Sequence, residues 1–280
     1  MSAVKRLLTI QDVSCVGQCS ATVALPLVSA CGVECAVLPS AVLSNHTGGF
    51  KSWSFRDLTD EMPAVEAQWK ANGLKFDAFY TGYVCANQID PILSIMDSAA
   101  NPGALRFVDP AMADNGKLYT GFDAAFAMEM GKLCGDADIT LPNITEAAMM
   151  TGYEYRGSGY DEAYIEGLMQ AVLALGAGAV VLTGVSYDPE KLGVAVLKKG
   201  EARPAYYFHE HLPKNSHGTG DIFAAAFTGA YVSGRSMIEA ARLAADFTLA
   251  GMKATIGDDS HWYGTKFEKA LPLLVSELNK

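Results

Sequence analysis

No run of basic residues occurs anywhere in this chain, and its 31 Asp and Glu outnumber its 21 Lys and Arg. A net charge of −10 repels polyanions, so neither nucleic acid nor an anionic membrane surface is expected as a partner. Long apolar runs are missing as well. The first hydrophobic stretch, Leu7-Leu8-Thr9-Ile10 behind Lys5-Arg6, is too short for a signal peptide or a bilayer span and reads as a buried strand. A cytoplasmic location is the expectation. Cysteine is sparse, and six in 280 residues make no disulfide scaffold. Cys15 and Cys19, like Cys31 and Cys35, are spaced to share a helical face, yet no histidine pair completes a zinc set, and they read as small buried hydrophobes. His209 and His211 alternate on an expected strand and read as edge decoration. No G-x-x-x-x-G-K-[ST] is present, which excludes a P-loop. Gly218 and Gly220 lead to Phe223 rather than a third glycine, and the first strand runs into Gln11-Asp12-Val13, so a dinucleotide fingerprint is absent. Without a Pro/Ser-rich linker or an internal repeat, residues 1–280 are expected to form one domain.

What remains is rich in core. Half the residues are hydrophobic and only 19% are charged, ample for a packed interior. Short β-rich runs at 4–10, 33–40, 77–81, 105–109, 137–141, 179–184, 193–197 and 205–209 alternate with helical patterns. Those helices are expected at 19–31, 58–72, 87–99, 121–134, 144–151, 161–176, 220–234, 237–254 and 264–278. The early strands are continuous apolar runs, as when helices cover both sheet faces. The pattern predicts an α/β fold, a three-layer α/β/α doubly wound and mainly parallel sheet. The last two runs, joined across Lys198-Lys199-Gly200-Glu201, read as an antiparallel edge hairpin.

In such sheets chemistry gathers beyond the C-terminal ends of the strands. Residues placed there are Gln11, Asp12 and Ser14; Ser40 and Ser44-Asn45-His46-Thr47-Gly48-Gly49; Thr81-Gly82-Tyr83; Asp109-Pro110; Pro142-Asn143-Ile144-Thr145-Glu146; and Thr183-Gly184. One stretch stands apart. His217-Gly218-Thr219-Gly220-Asp221 is a glycine turn opening an alanine-rich helix, where unpaired N–H groups and the helix dipole attract an anion such as phosphate. Asp221 in that turn is either a helix cap or a base beside a bound phosphate; the loop alone leaves both open.

Gly218-Thr219-Gly220-Asp221 resembles the signature of the ribokinase-like (PfkB-type) small-molecule kinases. Ser44-Asn45-His46-Thr47-Gly48, Thr81-Gly82-Tyr83, Val108-Asp109-Pro110-Ala111-Met112 and Pro142-Asn143-Ile144-Thr145-Glu146 are similar to the pyridoxal kinase branch, in order over roughly residues 5–250. The resemblance implies an enzyme that uses ATP and Mg²⁺ to phosphorylate a hydroxymethyl group on a pyridine ring. It implies Asp221 as the base, and Gly218, Thr219 and Gly220 as an anion hole. Asp109, Asn143, Glu146 and Thr183 would hold the nucleotide, with Asp109 and Glu146 near the metal, partly through water. Ser40, His46, Thr47 and Tyr83 would enclose the substrate. A monovalent cation and a homodimer belong to the same expectation. The branch carries Ile-Gln-Ser-His after the first strand, whereas this chain has Ile10-Gln11-Asp12-Val13-Ser14. Asp12 or Ser14 then stands in for that serine, and an acid would suit an amine or a protonated ring nitrogen. The alternatives are a hydroxymethylpyrimidine kinase, the same chemistry on another ring, and a non-catalytic ligand-binding relative.

Overall fold

The structure, a computed structural model, describes residues 4–212 and 216–280. The chain divides into two compact units, residues 1–104 with 213–280, and residues 105–212. The chain enters through β1 (Arg6–Ser14), α1 (Ala21–Ala30), β2 (Glu34–Leu43), β3 (Phe55–Asp57), α2 (Met62–Ala71), β4 (Phe76–Thr81) and α3 (Ile89–Ser98). Strand β5 (Ala100–Val108) carries it across the boundary. The second unit adds β6 (Ala113–Asp114), β7 (Lys117–Leu118), α4 (Ala124–Gly135), β8 (Ile139–Thr140), α5 (Ile144–Thr151) and α6 (Glu162–Ala174), then β9 (Ala179–Val185), β10 (Lys191–Lys198) and β11 (Ala205–Glu210). The return to the first unit is α7 (Thr219–Val232), α8 (Met237–Thr255) and α9 (Leu271–Leu278).

In the first unit β1 lies parallel between β2 and β4, and β3 adds antiparallel to β2. Leu7, Leu8, Thr9, Ile10 and Gln11 are all buried, so β1 is covered on both faces and has no reason to alternate. Pro39 is opposite Gln11, a position that β3 does not reach, so its missing N–H costs no ladder bond. The register of β1 against β2 shifts between Gln11 and Val13, where Ser40 and Ala41 of β2 stand against Asp12 alone, a bulge in β2. Such irregularities re-aim a side chain. Helix α7 packs against both α1 and α8 and is buried almost without interruption from Ile222 to Ala230. Burying Phe227 there contributes about 1.5–3 kcal/mol. The alanines let the neighbours approach, and at Gly229 even a Cβ would lie 2.6 Å from the Cys31 sulfur.

In the second unit β5, β8 and β9 pair in parallel, while β10 and β11 continue antiparallel from β9. Ile165, Leu168 and Val172 of α6 form one core with Val180, Leu182, Ala195 and Leu197. This is the expected mostly parallel α/β architecture with its antiparallel edge hairpin.

The departures are local. Strand β1 runs on to Ser14, so Gln11, Asp12 and Ser14 end the strand rather than follow it. The β3 edge and the β6–β7 hairpin were not anticipated, although Asn115-Gly116, with φ of 50° and 75°, is the turn pair such hairpins prefer. Helix α9 starts only at Leu271, with Pro272 in its first turn and a short 3₁₀ turn at Phe267–Lys269 before it. Neither cysteine pair shares a helix: Cys15 and Cys19 precede α1, Cys31 ends it and Cys35 lies in β2. All six cysteines are free. Among the described residues no helix is long and apolar enough to cross a membrane.

Candidate active site

The first unit's site is built on the start of α7. Gly218 has φ 79° and ψ 5°, the left-handed conformation, and a Cβ there would fall 1.7 Å from the Gln18 carbonyl oxygen. Only glycine closes this turn. No side chain caps the helix, whose first backbone bond runs from Ile222 N–H to Gly218 O at 2.9 Å. The N–H groups of Thr219 and Gly220 therefore have no partner within the helix and point ahead of it. Asp221 follows in the first turn, with some solvent access remaining to the residue. Its carboxyl is pushed up to about 7, first by burial and then by the charge of Asp12, against hydrogen bonds from the N–H groups of Ser20 and of Asp221 itself. A carboxyl that gains and loses its proton near neutrality is matched to general-base work.

Asp12, which faces the bulge in β2, is buried and accepts a hydrogen bond from Ser14 Oγ at 2.8 Å. Burial raises its pKa as well, offset by Ser20, Ser14 and His46. The loop after β2 supplies His46, also buried. Gly48 N–H donates to its Nδ1 at 3.1 Å, which leaves the ring proton on Nε2 to donate to Tyr263 O at 2.6 Å. His46 lies against Phe50 and His217, with ring centroids 5.0 and 5.3 Å away, and Phe50 meets Trp262 at 4.7 Å. Thr47 is exposed. Ser40 is buried and donates to the Tyr83 carbonyl at 3.0 Å. The half-buried Tyr83 phenol is pushed up to about 12 by burial, with Cys85 and Asp12 adding to it. Asp12, Ser14, His46 and Asp221 thus form one connected group, joined to Tyr83 through the charge of Asp12.

In the second unit, Asp109 follows β5 and is buried. Asn143 caps α5: its Oδ1 accepts Glu146 N–H at 2.9 Å while Glu146 Oε2 accepts Asn143 N–H at 2.9 Å. The other Glu146 oxygen accepts from Met112 and Ala113 N–H at 3.1 and 3.4 Å, and Asn143 Nδ2 donates to Ala113 O at 2.8 Å. Both residues therefore clamp the stretch just after Asp109. Burial outweighs these bonds and pushes Glu146 up to about 8. Burial pushes the Cys134 thiol up to about 12, with the charges of Glu146 and Asp109 adding to it. Thr183 N–H donates to Pro142 O at 2.9 Å, which places the threonine beside the cap. Among the described residues no three His, Cys, Asp or Glu side chains gather in a metal-binding group. Mg²⁺ rarely uses an all-protein cage, taking one or two carboxylates with phosphate and water instead. Asp109 suits that role directly, while Glu146, with both oxygens engaged, suits only contact through water. His209 and His211 bond main-chain carbonyls at the edge.

The sequence did not single out Ser20, Phe50 or Trp262. Phe50 follows the S-N-H-T-G-G run directly, a signal within reach; Ser20 and Trp262 carry none.

Residues 25–263 match the family model described as phosphomethylpyrimidine kinase. The chain belongs to that family. It is a kinase, and within the ribokinase-like superfamily its relatives include pyridoxal kinases. It is similar to the structure of a putative phosphomethylpyrimidine kinase from Bacteroides thetaiotaomicron in a form with pyridoxal, at 35% identity and TM-score 0.91, covering 97% of this chain and 96% of that one. The pyridoxal kinase of Lactobacillus plantarum is 29% identical with TM-score 0.89, covering 98% of each chain. In sequence, a hydroxymethylpyrimidine/phosphomethylpyrimidine kinase of Rhizobium meliloti is 28% identical over 236 residues, 81% of this chain and 82% of the relative.

Proposed function

We propose that this kinase phosphorylates the 5′-hydroxymethyl group of a B6 vitamer (pyridoxal, pyridoxamine or pyridoxine) with ATP. The observation that carries the reading is Asp221, a carboxyl pushed up to about 7 in the first turn of a helix whose opening N–H groups have no partner within the helix. Phosphoryl transfer asks the protein for positioning and for offset of spreading negative charge. Asp221 accepts the hydroxyl proton, and the Gly218, Thr219 and Gly220 N–H groups hold the phosphoryl oxygens. His46 and Tyr83 bound the ring, with Thr47 at the loop tip, and Asp12, Ser14 and Ser40 provide its polar contacts. Asn143 and Thr183 hold the nucleotide, and Asp109, with Glu146 through water, holds the metal. When bound, Mg²⁺ neutralises phosphate charge. A cytoplasmic homodimer, dependence on a monovalent cation and one kinase domain for both units belong to the same proposal.

Phosphorylation of a hydroxymethylpyrimidine is the second reading, favoured by the family description and the Rhizobium meliloti relative. The test is ADP release with ATP, Mg²⁺ and each vitamer or 4-amino-5-hydroxymethyl-2-methylpyrimidine. A kcat/KM higher for a vitamer supports the first reading; turnover of the pyrimidine alone selects the second. No turnover of either, with ATP bound, points to a ligand-binding relative.

A further inference from the structure

His217, joined by its peptide bond to Gly218, is a residue on which distant segments of the first unit converge. A Cβ added to Gly48 would lie 2.7 Å from its Nδ1 and 2.9 Å from its Cε1, and one added to Gly49 would lie 3.3 Å from its Nε2. The loop after β2 comes this close to the imidazole because it presents backbone without side chains. His46 lies alongside, with ring centroids 5.3 Å apart, and is itself held at both nitrogens by Gly48 N–H and Tyr263 O. From the segment before α9, Trp262 borders Gly49 as well, 3.2 Å from an added Cβ, and Thr265 Oγ1 donates to the His217 carbonyl at 3.5 Å. The outer side of the His217 ring stays in solvent. Burial of the rest, and then His46, hold its pKa below the usual histidine range, so near neutrality the ring is an uncharged plate rather than a cation offered to phosphate.

We infer that His217 is a positioning residue: its ring, seated against Gly48 and Gly49, fixes the Gly218–Gly220 turn relative to the loop that carries His46 and Thr47. The inference rests on the reading of that turn as the phosphoryl anion hole. Gly218 and Gly220 have no side chains with which to anchor it, and Thr219 adds only a long bond from its Oγ1 to Ser216 O at 3.4 Å. N–H groups that stabilise a transferring phosphoryl group must stand where its charge develops, and a shift of about 1 Å can cost about 10²-fold in rate. A ring lodged against unyielding backbone passes the loop's position to the turn without itself meeting the substrate.

The test is a double-mutant cycle of Gly48→Ala and His217→Ala. For each variant kcat, KM and melting temperature are measured with ATP, Mg²⁺ and pyridoxal, or with the hydroxymethylpyrimidine if that is the ring turned over. Gly48 has no positive φ, and the three atoms nearest to an added Cβ all belong to His217, so alanine there is opposed first by this ring. Gly48→Ala should displace the ring and lower kcat about 10-fold, with the KM of the ring substrate nearly unchanged. His217→Ala should lower kcat by a similar factor. In the His217→Ala background the new methyl has room, and Gly48→Ala should cost no further activity. A merely structural histidine would move melting and leave kcat at the wild-type value. A loop effect that bypasses His217 would appear in KM, equally in both backgrounds. Either result overturns the inference. Should Gly48→Ala yield no folded protein, His217→Ala decides alone: a fall in kcat at constant KM supports the inference, and an unchanged kcat overturns it. Asp221→Asn separates the two levels. If that variant is as fast as wild type, the reading of the turn as a phosphoryl site fails; if it is slow while His217→Ala keeps the wild-type kcat, only the role of His217 is removed.

Discussion

Asp221 decides between cap and base through an energy difference that experiment can separate. If it takes the substrate proton, Asp221→Asn lowers kcat by about 10²–10⁴-fold, read by coupled ADP release. Loss of a cap would cost roughly 1 kcal/mol and leave kcat alone, and the N-cap position of α7 belongs to Gly218, not to Asp221. Stability supplies an independent check. The folded carboxyl is pushed up to about 7 from the ordinary 3.8, so the folded chain holds an extra proton between those limits. Stability is then lost as pH rises through that window. Asp221→Asn, which has nothing to ionise, should gain on wild type over the same window and melt a few degrees higher at pH 8, with the gap closing below pH 4 in differential scanning calorimetry. The two glycines ahead of it are expected to part company. Gly218→Ala meets both a left-handed φ and the Gln18 carbonyl and should yield little folded protein. At Gly220 none of the described residues lies within 4 Å of a Cβ and the backbone is helical, so Gly220→Ala should gain about 0.5–1 kcal/mol in urea unfolding.

Helix α5 shows a capping box put to further use. Glu146 accepts from Asn143, Met112 and Ala113 N–H, so it joins a helix start to the segment that follows Asp109. Removing the carboxylate leaves buried donors without acceptors, at about 1–3 kcal/mol apiece, whereas an N-cap loss alone costs about 1 kcal/mol. Glu146→Ala should therefore fall well below Asn143→Ala in urea-denaturation midpoint. Equal losses would reduce Glu146 to an ordinary first-turn acid. The box was legible in the sequence because Asn143-x-x-Glu146 is a local pattern. Its second set of contacts was not, since Met112 and Ala113 lie more than 30 positions away. The β6–β7 hairpin was legible but passed over, its Asn115-Gly116 pair lying in strands of two residues each, too short for periodicity to register.

Across the whole molecule, the family match over residues 25–263 takes in both compact units. If these form one kinase domain, calorimetry should give a single transition whose van't Hoff and calorimetric enthalpies agree; two resolved transitions would argue for separately folding units. The order of the strands and helices apart from β3, β6 and β7, the buried character of β1, the edge hairpin and the Gly218–Asp221 turn were determined by the sequence itself. Each rests on interactions between residues a few positions apart: periodic burial, turn geometry and helix capping. Only the tertiary structure decided that the charges of Asp12 and Asp221 act on one another, that a bulge in β2 falls opposite Asp12, and that Glu146 is fully engaged by main-chain donors. Those outcomes depend on burial and on charges brought together from distant parts of the chain, and neither quantity has a value until the chain has folded.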